Sequence, residues 1–175
     1  MSVPSVSFII PYYNIGIPLL DRAVQSVVRL GGHADWEIWV IDDGTPAPEA
    51  SEYVRRLDDS RIHCVVQQNM GLSEARNTGI RMARKEYIQF LDADDYLFLT
   101  PTLQMLQMLE TYTPELLAFD SRKVYGTNEP TSYNHRILYQ GDGCGFMRKH
   151  TLRGGAWGCV FRKEILGTLR FTPGI

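Results

Sequence analysis

The chain has 175 residues, 44% of them hydrophobic and 22% charged, enough for one domain with a core of its own. A formal net charge of -2 leaves no electrostatic footprint for nucleic acid. Three widely spaced cysteines, Cys64, Cys144 and Cys159, form neither a CxxC nor a metal-ligand pattern and point to a reducing interior.

The N-terminus has no basic stretch ahead of a long apolar one, and no run approaches bilayer length. A soluble domain of cytoplasmic type is expected. Val6 to Ile10 reads as a strand that Pro11 should end, since proline lacks the N–H a central ladder needs. Leu19 to Leu30 carries apolar residues at helical spacing, and Gly31-Gly32 should stop it. Trp36 to Ile41 is a second strand, followed by Asp42-Asp43-Gly44-Thr45. A short helix, Glu49 to Leu57, leads to a third strand, Ile62 to Val66. Ser73 to Ala83 is helical with Ser73 as its N-cap. Tyr87 to Leu91 is a fourth, buried strand that stops at Asp92-Ala93-Asp94-Asp95. The next helix has Thr100 as cap and Pro101 in its first turn, and runs to about Tyr112. Leu116 to Phe119 is a short fifth strand. From Ser121 to Met147 the pattern fades into loops with short strands, punctuated by Gly126, Asn128, Pro130, Asn134 and Gly141-Asp142-Gly143. Trp157 to Phe161 is a late strand, and Arg162 to Leu169 a short helix. This alternation predicts an α/β fold with a mostly parallel sheet and helices on both faces.

Ligands of such sheets bind outside the carboxyl ends of the strands. The loops after the first, second and fourth strands should therefore share one crevice. They carry Pro11-Tyr12-Tyr13-Asn14, Asp42-Asp43-Gly44-Thr45 and Asp92-Ala93-Asp94-Asp95. Clustered carboxylates repel unless a cation sits among them, and a hard divalent cation prefers oxygen ligands, including those of a diphosphate. Taken singly, each motif has a plainer reading. Tyr13 could be a half-buried strand-end tyrosine, Asp42-Asp43-Gly44 a turn, and the Asp92 cluster a solvated cap. Arg76 could be a helix-surface ion pair.

Four blocks in order carry a resemblance. Val6 to Asn14 (VSFIIPYYN), Ile41 to Thr45 (IDDGT), Gly71 to Gly79 (GLSEARNTG) and Phe90 to Tyr96 (FLDADDY) resemble family 2 glycosyltransferases of the GT-A fold. Ala156 to Phe171 (AWGCVFRKEILGTLRF) is similar to the family's later Trp-containing segment. The resemblance implies a hexosyl- or N-acetylhexosaminyltransferase using a nucleotide-diphospho-sugar, UDP-linked by preference, and a divalent metal, Mn2+ or Mg2+. It implies transfer, with inversion, to a saccharide or lipid-linked saccharide in surface polysaccharide synthesis, at the inner face of the membrane. Membrane contact would then come from parts of the protein further along.

Carried over by motif, Pro11 and Tyr13 border the base, with the Tyr13 ring stacking. Asp43 accepts from the base N–H, and Asp42 supports the turn. Arg76 lies near base, ribose or diphosphate. Asp92 faces ribose and metal, Asp94 ligates the metal, and Asp95 has a helix-side or sugar contact. Trp157 belongs to the acceptor side or to the core. Residues 1–119 would form the nucleotide-sugar part and 120–175 the start of the acceptor part of one domain. The family's catalytic base is an acidic residue past a Phe-x-x-Gly segment. Here that segment is Phe171 to Gly174, so the base is expected beyond Ile175, with Asp142 and Glu164 the poorer matches within the chain. Without it, residues 1–175 should bind donor and transfer little. The competing reading is a non-catalytic nucleotide-sugar-binding module. A receiver-type signalling domain would need its acidic pair after the first strand, and a dinucleotide dehydrogenase a G-x-G-x-x-G there; neither is present.

Overall fold

The computed structural model describes residues 3–119, 140–149 and 155–174. In chain order the elements are β1 (Ser5–Tyr12), α1 (Ile17–Val28), β2 (Asp35–Asp42), α2 (Glu49–Leu57), β3 (Ile62–Val66) and α3 (Leu72–Met82). Then come β4 (Tyr87–Phe90), α4 (Leu99–Tyr112), β5 (Leu116–Ala118), α5 (Gly143–Lys149), β6 (Cys159–Arg162) and α6 (Lys163–Leu166). The strands form one sheet in the order β3-β2-β1-β4-β6-β5. β1 to β4 are mutually parallel, β6 runs antiparallel to β4, and β5 antiparallel to β6. The expected mostly parallel α/β sheet is the one observed.

Alternation along the strands explains how both faces are covered. On β1, Val6, Phe8, Ile10 and Tyr12 point into one core with Trp36, Ile38 and Val40 of β2. That core is closed by α1, α2 and α4 through residues such as Val24, Tyr53 and Leu106. Ile9, Trp39, Ile41, Ile88 and Phe90 face the other way, beneath Ala75 and Ile80 of α3. There α3 lies so close to β1 that a Cβ on Gly79 would stand 2.2 Å from Ile9 Cγ2.

Several boundaries differ from the expectation. β1 runs through Pro11 to Tyr12, in register with β2. The Ile9 carbonyl accepts from Leu91 on the β4 side, and the Tyr12 carbonyl accepts from Asp43 on the β2 side. The N–H that Pro11 lacks would therefore point to the β4 side. β4 pairs only as far as Ile9, so no ladder bond is lost. Ser73 is not a cap: α3 starts at Leu72 behind Gly71, whose φ of 85° favours glycine. Thr100 lies inside α4, because Leu99 already packs on the core and Phe98 takes the cap position. α1 starts earlier, with Pro18 in its first turn, and stops at Val28; Leu30 remains buried in a following turn. Trp157 sits in a short 3-10 turn ahead of β6, and α6 ends at Leu166, where Gly167 takes a φ of 43°. α5 falls in the stretch read as loop. Residues 120–139, with Gly126, Asn128, Pro130 and Asn134, lie outside the described residues.

Candidate functional site

The loops that leave the carboxyl ends of β1, β2, β3 and β4 meet at one rim. The backbone N–H of Asn14 donates to Thr45 Oγ1 at 3.1 Å, joining the first loop to the second. The Thr45 N–H in turn donates to Asp42 Oδ1 at 2.8 Å, so the buried Asp42 supports the turn as the sequence indicated. Asp42 Oδ2 is buried without a partner among the described residues. Gly44, at φ 80°, lets the second loop touch the third: a Cβ there would lie 2.7 Å from the Asn69 nitrogen. Tyr12 turns its hydroxyl into the fold and donates to Glu49. Burial, and then that hydrogen bond, push the Tyr12 phenol well above its usual range. Tyr13, next along, is 49% exposed at the rim, whereas Pro11 is buried.

Asp43 is the hub of the second and third loops. Its side chain is buried, with Oδ1 accepting from Gln67 Nε2 at 2.7 Å and from the Met70 N–H at 2.9 Å. Oδ2 accepts from the Gly71 N–H at 2.8 Å, at the start of α3. A carboxylate has room for about four hydrogen bonds, and three of those of Asp43 are taken within the described residues. Thr78 Oγ1 donates to Gln67 Oε1 at 2.6 Å and accepts from Arg81 Nη2 at 2.7 Å, so Gln67 is oriented from α3. The third loop was not foreseen as part of the crevice. Its signal in the sequence is Gly71, the first residue of the GLSEARNTG block.

Past β4 the chain folds into a turn, with the Asp95 N–H donating to the Asp92 carbonyl at 2.9 Å. Asp92 Oδ1 accepts from Arg76 Nη2 at 2.9 Å, and the two side chains are 28% and 13% exposed. Asp94 and Asp95 are exposed at the tip. Desolvation, followed by the negative charges of Asp94 and Asp92, raises the Asp95 carboxyl above its ordinary value. α1 holds this turn from beneath. Arg22 Nη2 donates to the Asp94 carbonyl at 2.6 Å with its guanidinium 4.9 Å from the Tyr96 ring centre, and Ser26 Oγ accepts from the Leu97 N–H at 3.0 Å. Arg22 and Ser26 are one helical turn apart, and their role is legible only once α1 is placed under the turn.

Among the described residues no three His, Cys, Asp or Glu side chains group closely enough to hold a metal unaided. Asp92 and Asp94 still fit a hard divalent ion of the kind that binds through one or two carboxylates and completes its shell with substrate phosphates and water. The all-oxygen donor set and the negative field felt by Asp95 agree with that chemistry. Trp157 is half-buried at the rim end of β6, packed so closely on Gly155 that a Cβ there would lie 2.4 Å from the indole. Asp142 accepts from the Gly145 N–H at 2.8 Å and caps α5. Glu164 lies on α6 at the opposite end of the sheet, where the preceding Lys163 N–H bonds the Glu86 carbonyl ahead of β4.

The profile of Glycosyl transferase family 2 matches residues 7–169. The uncharacterized glycosyltransferase EpsJ of Bacillus subtilis (strain 168) is 44% identical over 97 residues, covering 54% of this chain and 27% of EpsJ. The minor teichoic acid biosynthesis protein GgaB of the same organism is 32% identical over 93 residues, covering 51% of this chain and 10% of GgaB. Among solved structures, S. aureus TarS 1-349 in complex with UDP-GlcNAc superposes with a TM-score of 0.74 at 16% identity. That match covers 98% of this chain and 49% of TarS. The chain thus spans half or less of the length of each of these proteins.

Proposed function

The chain belongs to glycosyl transferase family 2, with the GT-A fold, and from that premise we propose that it is the donor-binding part of a metal-dependent, inverting glycosyltransferase. In this reading the donor is a UDP-sugar, and the acceptor is a hydroxyl of a saccharide or lipid-linked saccharide in polysaccharide synthesis. The observation that supports it is the meeting of four strand-end loops at one rim, the end of the sheet that carries Tyr13, Asp43, Asp92 and Asp94, with Arg76 reaching it from α3. The naming of EpsJ as a glycosyltransferase, the teichoic acid role of GgaB and the UDP-GlcNAc bound by TarS favour the same chemistry.

Each side chain has a defined task in this scheme. The exposed Tyr13 ring offers a stacking face for the base. Asp43, rigid in its three hydrogen bonds, presents its remaining lone pair to a base N–H and so favours uracil. Arg76 places a guanidinium beside Asp92, where it can neutralise diphosphate charge. Asp94, with the free edge of Asp92, would hold Mn2+ or Mg2+, which supplies Lewis-acid stabilisation to the leaving diphosphate. No helix among the described residues is long and apolar enough to cross a membrane.

The test is a calorimetric titration of UDP, GDP and dTDP with and without manganese. UDP is expected to bind best, and manganese to tighten it. Asp94→Ala should remove the manganese-dependent part while the protein stays folded. Undiminished manganese-dependent affinity in that variant would remove Asp94 from the metal site. Equal affinity for all three nucleotides would mean that the site does not select its base, and unchanged UDP affinity in folded Asp43→Asn would take Asp43 out of base recognition.

A further inference from the structure

We propose that Phe171 is a positioning residue for Arg76, locked in place by Asn77, so that the segment after α6 governs how the site receives a diphosphate. The inference rests on the donor-binding reading above and assigns a task to a residue 94 positions downstream of the helix it serves.

The lock is a side chain that behaves like a strand edge. Asn77 is buried on α3, and its Nδ2 donates to the Phe171 carbonyl at 3.0 Å. The Phe171 N–H returns a hydrogen bond to Asn77 Oδ1 at 2.9 Å. Asn77 Nδ2 also donates to Glu74 Oε2 at 3.0 Å, which fixes the plane of the amide. A segment outside any strand or helix is thereby held at a single residue by two hydrogen bonds.

The docked ring has one consequence for the site. Phe171 stands edge-on to Phe90, the last residue of β4, with ring centres 5.3 Å apart at 86°. The Arg76 guanidinium carbon lies 5.5 Å from the Phe171 ring centre and 6.0 Å from that of Phe90. It lies beside both aromatic rings while its Nη2 reaches Asp92. Arg76 Nε is buried and has no partner among the described residues. The guanidinium is therefore held by one carboxylate and by the rings rather than by a hydrogen-bond cage. An arginine has several free torsions, and removing one ring releases them. A ligand phosphate meets a preset cation only while the ring is there. An uncharged nucleoside makes no use of it.

The experiment compares UDP and uridine binding by the full chain and by Phe171→Leu, Phe171→Tyr and Asn77→Ala. Leucine keeps bulk and removes the aromatic face, and tyrosine restores the face. Phe171→Leu and Asn77→Ala should weaken UDP by about threefold to tenfold, leave uridine unchanged, and lose the ring-current shift of the Arg76 Nε proton in NMR spectra. Phe171→Tyr should recover both UDP affinity and the shift. Unchanged UDP affinity in folded Phe171→Leu overturns the proposal, and so does a parallel loss for UDP and uridine, which would mark a merely structural role. If the parent chain binds no nucleotide, the donor-binding reading fails, and the Arg76 resonance then decides the positioning on its own. A signal unmoved by Phe171→Leu overturns it.

Discussion

Asp43 anchors the second and third loops, and the proposed base contact would use the same carboxylate. In Asp43→Asn one carboxylate oxygen becomes an NH2 that must face either the Gln67 and Met70 donors or the Gly71 N–H. The expected cost to stability is about 1–3 kcal/mol, since a buried donor is left unpaired, and UDP affinity should fall as well. Denaturant unfolding and UDP titration of the same sample check both halves. Lost stability with intact UDP affinity would leave Asp43 as a loop anchor only. At the other end of the sheet, buried Glu37 gives the pH dependence. Burial by itself raises its carboxyl, but the Ser7 hydroxyl at 2.6 Å and the Arg84 N–H at 2.7 Å bring it below its ordinary value. A carboxyl depressed in the folded state adds stability above its unfolded pKa and loses it as pH falls through its folded pKa. Ser7→Ala should therefore destabilise the protein at neutral pH. The gap from the parent should narrow on acidification through the carboxylate range, as melting curves can show. A gap constant with pH would mean that Ser7 acts through packing instead.

At the scale of elements, local signals worked where the chain's own neighbours decide the outcome. α2 and β3 have the bounds their sequence indicates, because Leu57 ends the apolar periodicity and β-branched residues fill the edge strand. The signals failed where a distant element supplies the missing partner. Pro11 stays in β1 because β4 has already turned away, and Ser73 is not needed as a cap because Asp43 takes the N–H of Gly71. The strand-end acidic and aromatic residues were legible because a parallel sheet collects its loops at one rim. Gln67, Arg22 and the Asn77–Phe171 lock were not, since each depends on contacts between residues far apart in sequence. Gly79 is a similar case, read only as part of a motif until α3 is seen against β1. Gly79→Ala should cost about 1–3 kcal/mol through overpacking against Ile9. In a double-mutant cycle with Ile9→Ala, measured by urea unfolding, the two losses should be less than additive. Full additivity would mean that α3 shifts away to relieve the contact.

For the molecule as a whole, nucleotide binding and group transfer are expected to part company. The rim residues of the proposed donor site, up to Asp95, and the Asn77–Phe171 contact all lie within the described residues. The chain spans 27% of EpsJ and 49% of TarS. In the proposed reading residues 1–175 bind a UDP-sugar and, without a general base among them, are expected to transfer it at least about 10²-fold more slowly than a longer form that supplies one. Sugar transfer and UDP release by the two forms on the same acceptor decide the matter. Comparable turnover would place the base within these residues, with Asp142 the first to replace, since Glu164 lies at the far end of the sheet.

The two antiparallel pairings at the sheet edge carry a consequence for engineering. β5 ends and β6 begins beside each other, with Ala118 opposite Cys159 and the Phe119 N–H on the Gly158 carbonyl at 2.9 Å. The chain thus leaves the sheet at Phe119 and rejoins it at Gly158 side by side, at the end where the strand-end loops meet. Lengthening a segment whose ends are already clamped adds only about 0.6 kcal/mol of closure entropy per doubling. Stretches of other lengths can therefore be exchanged between these two ends with the sheet left intact. Chimeras cut at Phe119 and Gly158 should retain UDP affinity while changing which hydroxyl is glycosylated.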